Sequence, residues 1–155
     1  MRTRRNRHQT KPAKEHATVG SRNNAPWKAI ASLKVIVYQA QVTSGRQTET
    51  YVGLTAIEFK SRFRNHQVSF NNETHKNDTE LSKHIWQLKG NEQRFTIKWK
   101  ILAKAKQYSN LTKRCNLCTT EKHFIITKPD LTTLSKRNEL ISTCRHRRKF
   151  ILRYC

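Results

Sequence analysis

The sequence predicts an α+β domain, a small three-stranded and mainly antiparallel sheet flanked by helices, on three observations. Residues 33–42 (LKVIVYQAQV) and 47–54 (QTETYVGL) are rich in β-branched and aromatic side chains, and Ser44-Gly45 supplies a turn between them. They read as a hairpin. Further on, Phe95, Ile97, Trp99 and Ile101 alternate with Thr96, Lys98 and Lys100, the period of two expected of a strand with one buried face. The segments around these strands show the three- and four-residue spacing of amphipathic helices.

Taken in chain order, residues 1–24 are basic and poor in apolar side chains, and read as a disordered arm. The domain is expected over 25–153. After the hairpin, Thr55 and Glu58 form a T-x-x-E capping box, which places a helix start at about Thr55 and its end near Phe70. Phe59 and Phe63 give that helix its buried stripe. Arg62 and His66, also four apart, stack on the neighbouring face, with Glu58 a turn earlier. Residues 71–77 are polar and loop-like. Asp78 or Thr79 then caps a second helix, lined on one face by Leu81, Ile85 and Leu88 and stopped by Gly90. Beyond the third strand, residues 119–127 (TTEKHFIIT) read as a short helix broken by Pro129. No period dominates from 130 to 144, and a basic tail runs over 145–153.

The charge balance, 32 Lys and Arg against 10 Asp and Glu for a net +22, predicts polyanionic partners and salt-sensitive binding. DNA is the expected partner. Arg2, Arg4, Arg5, Arg7, Lys11 and Lys14 in the arm suit backbone contact, as do Arg64, Arg145, Arg147, Arg148 and Lys149. A packaging or ribosomal-type protein would show the same charge. Trp27, between arm and domain, either stacks on a base or anchors in the core. No apolar run approaches the length of a membrane span and residues 1–14 lack a signal-peptide core, so an intracellular location without a membrane partner is expected, and the basic arm suggests a nuclear one.

The chemistry concentrates in Tyr38, Tyr51-Val52-Gly53, Arg62 and His66. A guanidinium and an imidazole side by side suit a phosphodiester, one clamping charge and the other moving or orienting a proton. Ile36-Val37-Tyr38 on one strand, Tyr51-Val52-Gly53 on the next and Arg62 at helical reach together resemble the GIY-YIG nuclease superfamily, with the first glycine replaced. The resemblance narrows to the endonuclease domain of Penelope-like retroelements over residues 33–153, through VYQAQV, YVGLT, FKSRFRNH, NDTELSKHIWQLK, RCNLCTTEKHFI and LSKRNELISTCRHRRKFILR. The extra cysteines that many such domains carry ahead of the first strand are absent from NNAPWKAIAS.

That resemblance implies a metal-dependent DNA endonuclease that nicks one strand, exposing a 3′-hydroxyl to prime reverse transcription. It implies a reverse transcriptase encoded elsewhere in the element as a partner. The superfamily's helix arginine falls on Arg62, its histidine on His66 and its metal-binding glutamate on Glu121. Its late asparagine falls near Ser135 in LSKRN, so that either Ser135 replaces it or Asn138 serves from a shifted position. In this scheme Glu121 holds one Mg²⁺ or Mn²⁺, Tyr38 with His66 assists proton removal from water, Arg62 stabilises the charged transition state and Tyr51 orients the phosphate. The acid inventory agrees with a one-metal site, since ten scattered acids contain no D-x-D. Residue by residue, plainer readings stand beside these: strand tyrosines that only pack, Arg62 as one more phosphate-binding cation, Glu121 as a solvated helix acid, His66 as a surface histidine. A structure-specific repair nuclease is the alternative within enzymes, and a non-catalytic zinc-stapled DNA-binding module the alternative outside them.

The zinc expectation comes from Cys115-x-x-Cys118 with Cys144-x-His146, donors that suit tetrahedral Zn²⁺ in a reducing compartment. His123 competes as fourth ligand, and buried reduced cysteines are the plainer reading. Zinc there would staple the C-terminal segment beside Glu121 and hold the 145–149 cations near the site.

Overall fold

The computed structural model describes residues 25–106, 108, 111 and 115–135. Strands β1 (Ile36–Ser44), β2 (Gln47–Thr55) and β3 (Thr96–Lys104) form one antiparallel sheet in the order β2-β1-β3. Helices α1 (Ala25–Ala31), α2 (Phe59–Asn71), α3 (Glu80–Gly90) and α4 (Asn116–Thr127) flank it, with 3₁₀ turns at Glu73–His75 and Pro129–Leu131. The α+β class and the three-stranded antiparallel sheet are as the sequence predicts.

β1 takes the centre because its first half is apolar on both faces. Ile36, Tyr38, Ala40 and Val42 join Tyr51 and Ile97 in a core with Phe59, Phe63 and Phe70 of α2 and Leu81, Ile85 and Leu88 of α3. Val37, with Val35 and Val52, belongs to a second core with Cys115, Leu117, Cys118 and Ile125 around α4. The sheet is therefore sandwiched where β1 begins, and alternate side chains commit to opposite layers.

β2 is an edge strand, and the segment after α4 covers it. Leu134 N–H donates to the Thr50 carbonyl at 2.8 Å, Thr50 N–H to Thr133 Oγ1 at 2.8 Å, and Val52 N–H to Ser135 Oγ at 3.1 Å. Satisfying these edge amides fixes residues 131–135 beside Tyr51. The α2–α3 pair is tied by hydroxyls. Thr79 Oγ1 and Ser82 Oγ lie 2.8 Å apart, as do Ser82 Oγ and Ser69 Oγ, and Ser69 Oγ donates to the His66 carbonyl at 2.8 Å.

Several local expectations are corrected. The helix over the Arg62 segment starts at Phe59 with Glu58 as N-cap, not at Thr55. Thr55 is buried at the end of β2 opposite Ile36, so sheet pairing takes the residue the capping box would need, and Glu58 reaches Lys34 at 3.5 Å instead. The first strand begins at Ile36, because Leu33 N–H closes a turn on Ile30 at the end of α1, a helix not foreseen. The hairpin closes through Gly45-Arg46, with Gly45 at φ 58° and Ser44 opposite Gln47. Gly90 lies within α3, whose cap is Asn91. Trp27 takes the anchoring role, its ring centroid 4.6 Å from that of Phe63. Asn138, Cys144, Arg145, His146, Arg147, Arg148, Lys149 and the arm at 1–24 lie outside the described residues. Among the described residues, no helix is long and apolar enough to cross a membrane.

Candidate active site

The β1–β2 register explains why two tyrosines and a glycine belong together. Tyr38 lies opposite Gly53 and Tyr51 opposite Ala40, so each phenol faces a small neighbour on the adjoining strand. A Cβ on Gly53 would come within 2.6 Å of the Tyr38 hydroxyl and 2.8 Å of the Tyr51 ring. Glycine here leaves room for two phenols. Its φ is not in the left-handed region, so close approach and not backbone conformation demands it.

α2 lies across this face and delivers Arg62 and His66, one turn apart. Arg62 Nε donates to the Tyr38 hydroxyl at 3.0 Å, and the Tyr38 hydroxyl lies 2.7 Å from His66 Nε2. Because the guanidinium can only donate, the phenol oxygen accepts from Arg62, and the same oxygen shares a second hydrogen bond with the imidazole. Tyr38 is 0% exposed and His66 1%. Burial, with Tyr51 next, pushes the Tyr38 phenol above its ordinary value. Burial, and then the nearby Arg62, push His66 down to about 3, so the imidazole is neutral. Burial disfavours the charge on Arg62, but the Tyr38 and Tyr51 phenols more than offset it, so the group stays protonated. The surface-histidine reading is overturned.

Neutral His66 has a consequence for stability. Unfolded, an imidazole titrates near ~6.5, so below that value the unfolded chain binds a proton the folded chain refuses. This group's contribution is therefore complete above about 6.5 and is lost as pH falls from there towards about 3, by up to about 1.4 kcal/mol per pH unit. Urea unfolding between about pH 7.5 and about pH 4.5 checks it. The wild type should weaken on acidification and His66→Gln distinctly less; equal slopes would refute the neutral buried imidazole.

α4 approaches from the opposite layer. It projects Glu121, which is 3% exposed, to the edge of β2, and Tyr51, Val52, Arg62, Glu121, Ile125 and Ser135 line one side of a cavity of about 310 Å³. The reading of Glu121 as a solvated acid is overturned. Tyr38 stands behind this wall, close enough for the Glu121 charge to act on its phenol. The cavity thus opens at the sheet edge where both layers meet, and residues from β2, α2 and α4 converge there. Ser135 reaches it but spends its hydroxyl on the Val52 N–H, at 3.1 Å.

Asn77, Asp78, Thr79, Glu80 and Lys83 complete the cavity lining. In the sequence, Asp78 and Thr79 stand out only as capping candidates, and Thr79 does cap α3, its hydroxyl accepting from Ser82 N–H at 3.0 Å. Lys83, exposed on the first turns of α3, carries no motif that marks it. Arg64 sits on the exposed outer face of α2, away from the cavity lining.

For a divalent cation the donor set fits in one way. Among the described residues no three His, Cys, Asp or Glu side chains form a metal-binding group. A cation at Glu121 would complete its shell with water and substrate phosphate oxygens, the habit of Mg²⁺. Cys115 and Cys118 lie buried on one face at the start of α4, two of four possible zinc donors, whereas His123 is exposed on another face of the same helix and does not join them. Comparison with protein-family models, curated proteins and solved structures finds no match.

Proposed function

We propose that this protein is a metal-dependent DNA endonuclease that nicks a phosphodiester, of the GIY-YIG type that its motifs resemble and in the manner of Penelope-like retroelements. The observation that carries this reading is the single cavity lined by Tyr51, Arg62 and Glu121, residues brought from three elements in two layers. A buried carboxylate lining one cavity with a guanidinium and a phenol matches what phosphodiester hydrolysis needs.

In this reading Glu121 and the substrate's phosphate would hold one Mg²⁺ or Mn²⁺. Such an ion supplies charge neutralisation and a more acidic bound water. Arg62 uses Nε to hold Tyr38 and also bonds the Tyr51 phenol, and as a cavity-lining group its guanidinium would meet the phosphate oxygens. Tyr51, at the cavity wall, is placed to touch the attacking water or the phosphate. Tyr38 takes a positioning role instead of the proton-removing one expected from sequence, because its oxygen is fully buried and already engaged by Arg62 and His66. His66, neutral, hydrogen-bonds the phenol and locks its direction.

A zinc staple through Cys115, Cys118, Cys144 and His146 belongs to the same proposal, supported by the burial of the first two at the start of α4. One further reading has an observation in its favour. The Ser135 hydroxyl is consumed by the Val52 backbone, and a site lacking the family's asparagine there would suit a non-catalytic DNA-binding module.

Nicking of supercoiled plasmid separates the two. We expect conversion to open circles with Mg²⁺ and none with EDTA, from protein carrying about one zinc per chain. Tight DNA binding without metal-dependent cutting would leave the binding module, and folded protein devoid of zinc would remove the staple.

A further inference from the structure

One part of the cavity lining has no part in the chemistry described so far. It comes from α3 and the turn before it, and it holds Lys83, whose ammonium sits 2.7 Å from Glu80 at a three-residue spacing. We propose that Lys83 is a second phosphate-binding cation of this site, taking the phosphate next to the one that is cut; the inference rests on the endonuclease reading and deepens it.

Three observations lead there. Among the described residues, Arg62 and Lys83 are the cations lining the cavity, and Arg62 already holds Tyr38 through Nε. A strand crossing the cavity to reach Arg62 would pass Lys83. Second, the pairing of Lys83 is a loose one. The Lys83 and Glu80 side chains are 44% and 31% exposed, and such exposed i,i+3 pairs are weak enough for an incoming phosphate to displace the carboxylate. Third, the spacing between the two cations is held. The hydroxyl chain from Thr79 through Ser82 and Ser69 to the His66 carbonyl binds the start of α3 to the helix carrying Arg62. The same part of the lining carries Asp78, which faces His75 at 3.0 Å, and Glu80.

The test is the salt dependence of binding to a short DNA duplex, measured without divalent metal, alongside nicking kinetics with Mg²⁺. Lys83→Ala should lower the slope of log affinity against log salt by about 0.9, the value of one lost phosphate contact on B-form DNA. In nicking it should raise KM about tenfold and leave kcat within about threefold, the mark of lost ground-state binding. Lys83→Arg should restore both, and Glu80→Gln, which removes only the competing carboxylate, should keep the wild-type slope. An unchanged slope in Lys83→Ala, or a fall in kcat at constant KM, would overturn the proposal while wild-type nicking leaves the endonuclease reading standing. A wild type that never nicks sinks that reading instead, and the salt slope still decides whether Lys83 meets a phosphate.

Discussion

Glu121→Gln should reduce Mg²⁺-dependent plasmid nicking by at least about 10³-fold, a loss of roughly 4 kcal/mol of transition-state stabilisation. The substitution keeps the shape of a side chain that is 3% exposed at the meeting point of α4 and β2, and removes only its charge. The other acids lining the cavity, Asp78 and Glu80, are far more exposed than Glu121 and come from α3 and the turn before it, not from α4. Duplex binding without metal should hold or tighten, because a negative charge has left a site that receives phosphate. That opposite movement of cutting and binding distinguishes a lost cation site from a damaged fold. Nicking within about tenfold of wild type would remove Glu121 from the chemistry.

Gly53→Ala should lower nicking by about 10²-fold with little change in DNA affinity, the scale expected when reacting groups shift by about 1 Å. Its methyl would stand 2.6 Å from the Tyr38 hydroxyl, 2.8 Å from the carbon bearing it and 2.8 Å from the Tyr51 ring. The Tyr38 ring cannot retreat easily. Tyr38 is held by Arg62 and His66 and walled in by Phe59 and Trp99, with ring centroids 5.2 Å and 5.8 Å away. Overpacking of this kind costs about 1–3 kcal/mol, measurable by urea unfolding. Adding Tyr38→Phe should return part of that stability, since it deletes the closest contact, but none of the activity. Wild-type nicking by Gly53→Ala would show that the phenols do not need their present placement.

The strands and the helices carrying the Phe59/Phe63 and Leu81/Ile85/Leu88 stripes were legible because their patterns are local: a period of two in β3, repeats of four in α2 and α3. The candidate site residues were singled out through motif resemblance, and of these Tyr51, Arg62 and Glu121 line the cavity. What stayed hidden depended on competition between distant segments. Thr55 and Glu58 satisfy a capping rule, but a ladder partner at Ile36 outbids it. The roles of Tyr38 and Tyr51 could not be told apart in sequence, since both are strand tyrosines. Burial separates them, leaving one at the cavity wall and the other behind it. Lys83 was invisible for a plainer reason, because an exposed lysine on an amphipathic helix is the commonest residue there is on such a face.

Composition and periodicity by themselves establish a basic chain with three strands and amphipathic helices, because charge balance and side-chain alternation need no partner to be read. Which phenol meets the cavity, and that a carboxylate from one layer faces a guanidinium from the other, depends on how the layers close over the edge of β2. That closure is settled by packing and backbone hydrogen bonds between residues some 80 positions apart, such as Val52 and Ser135 with a separation of 83, and no local pattern encodes it.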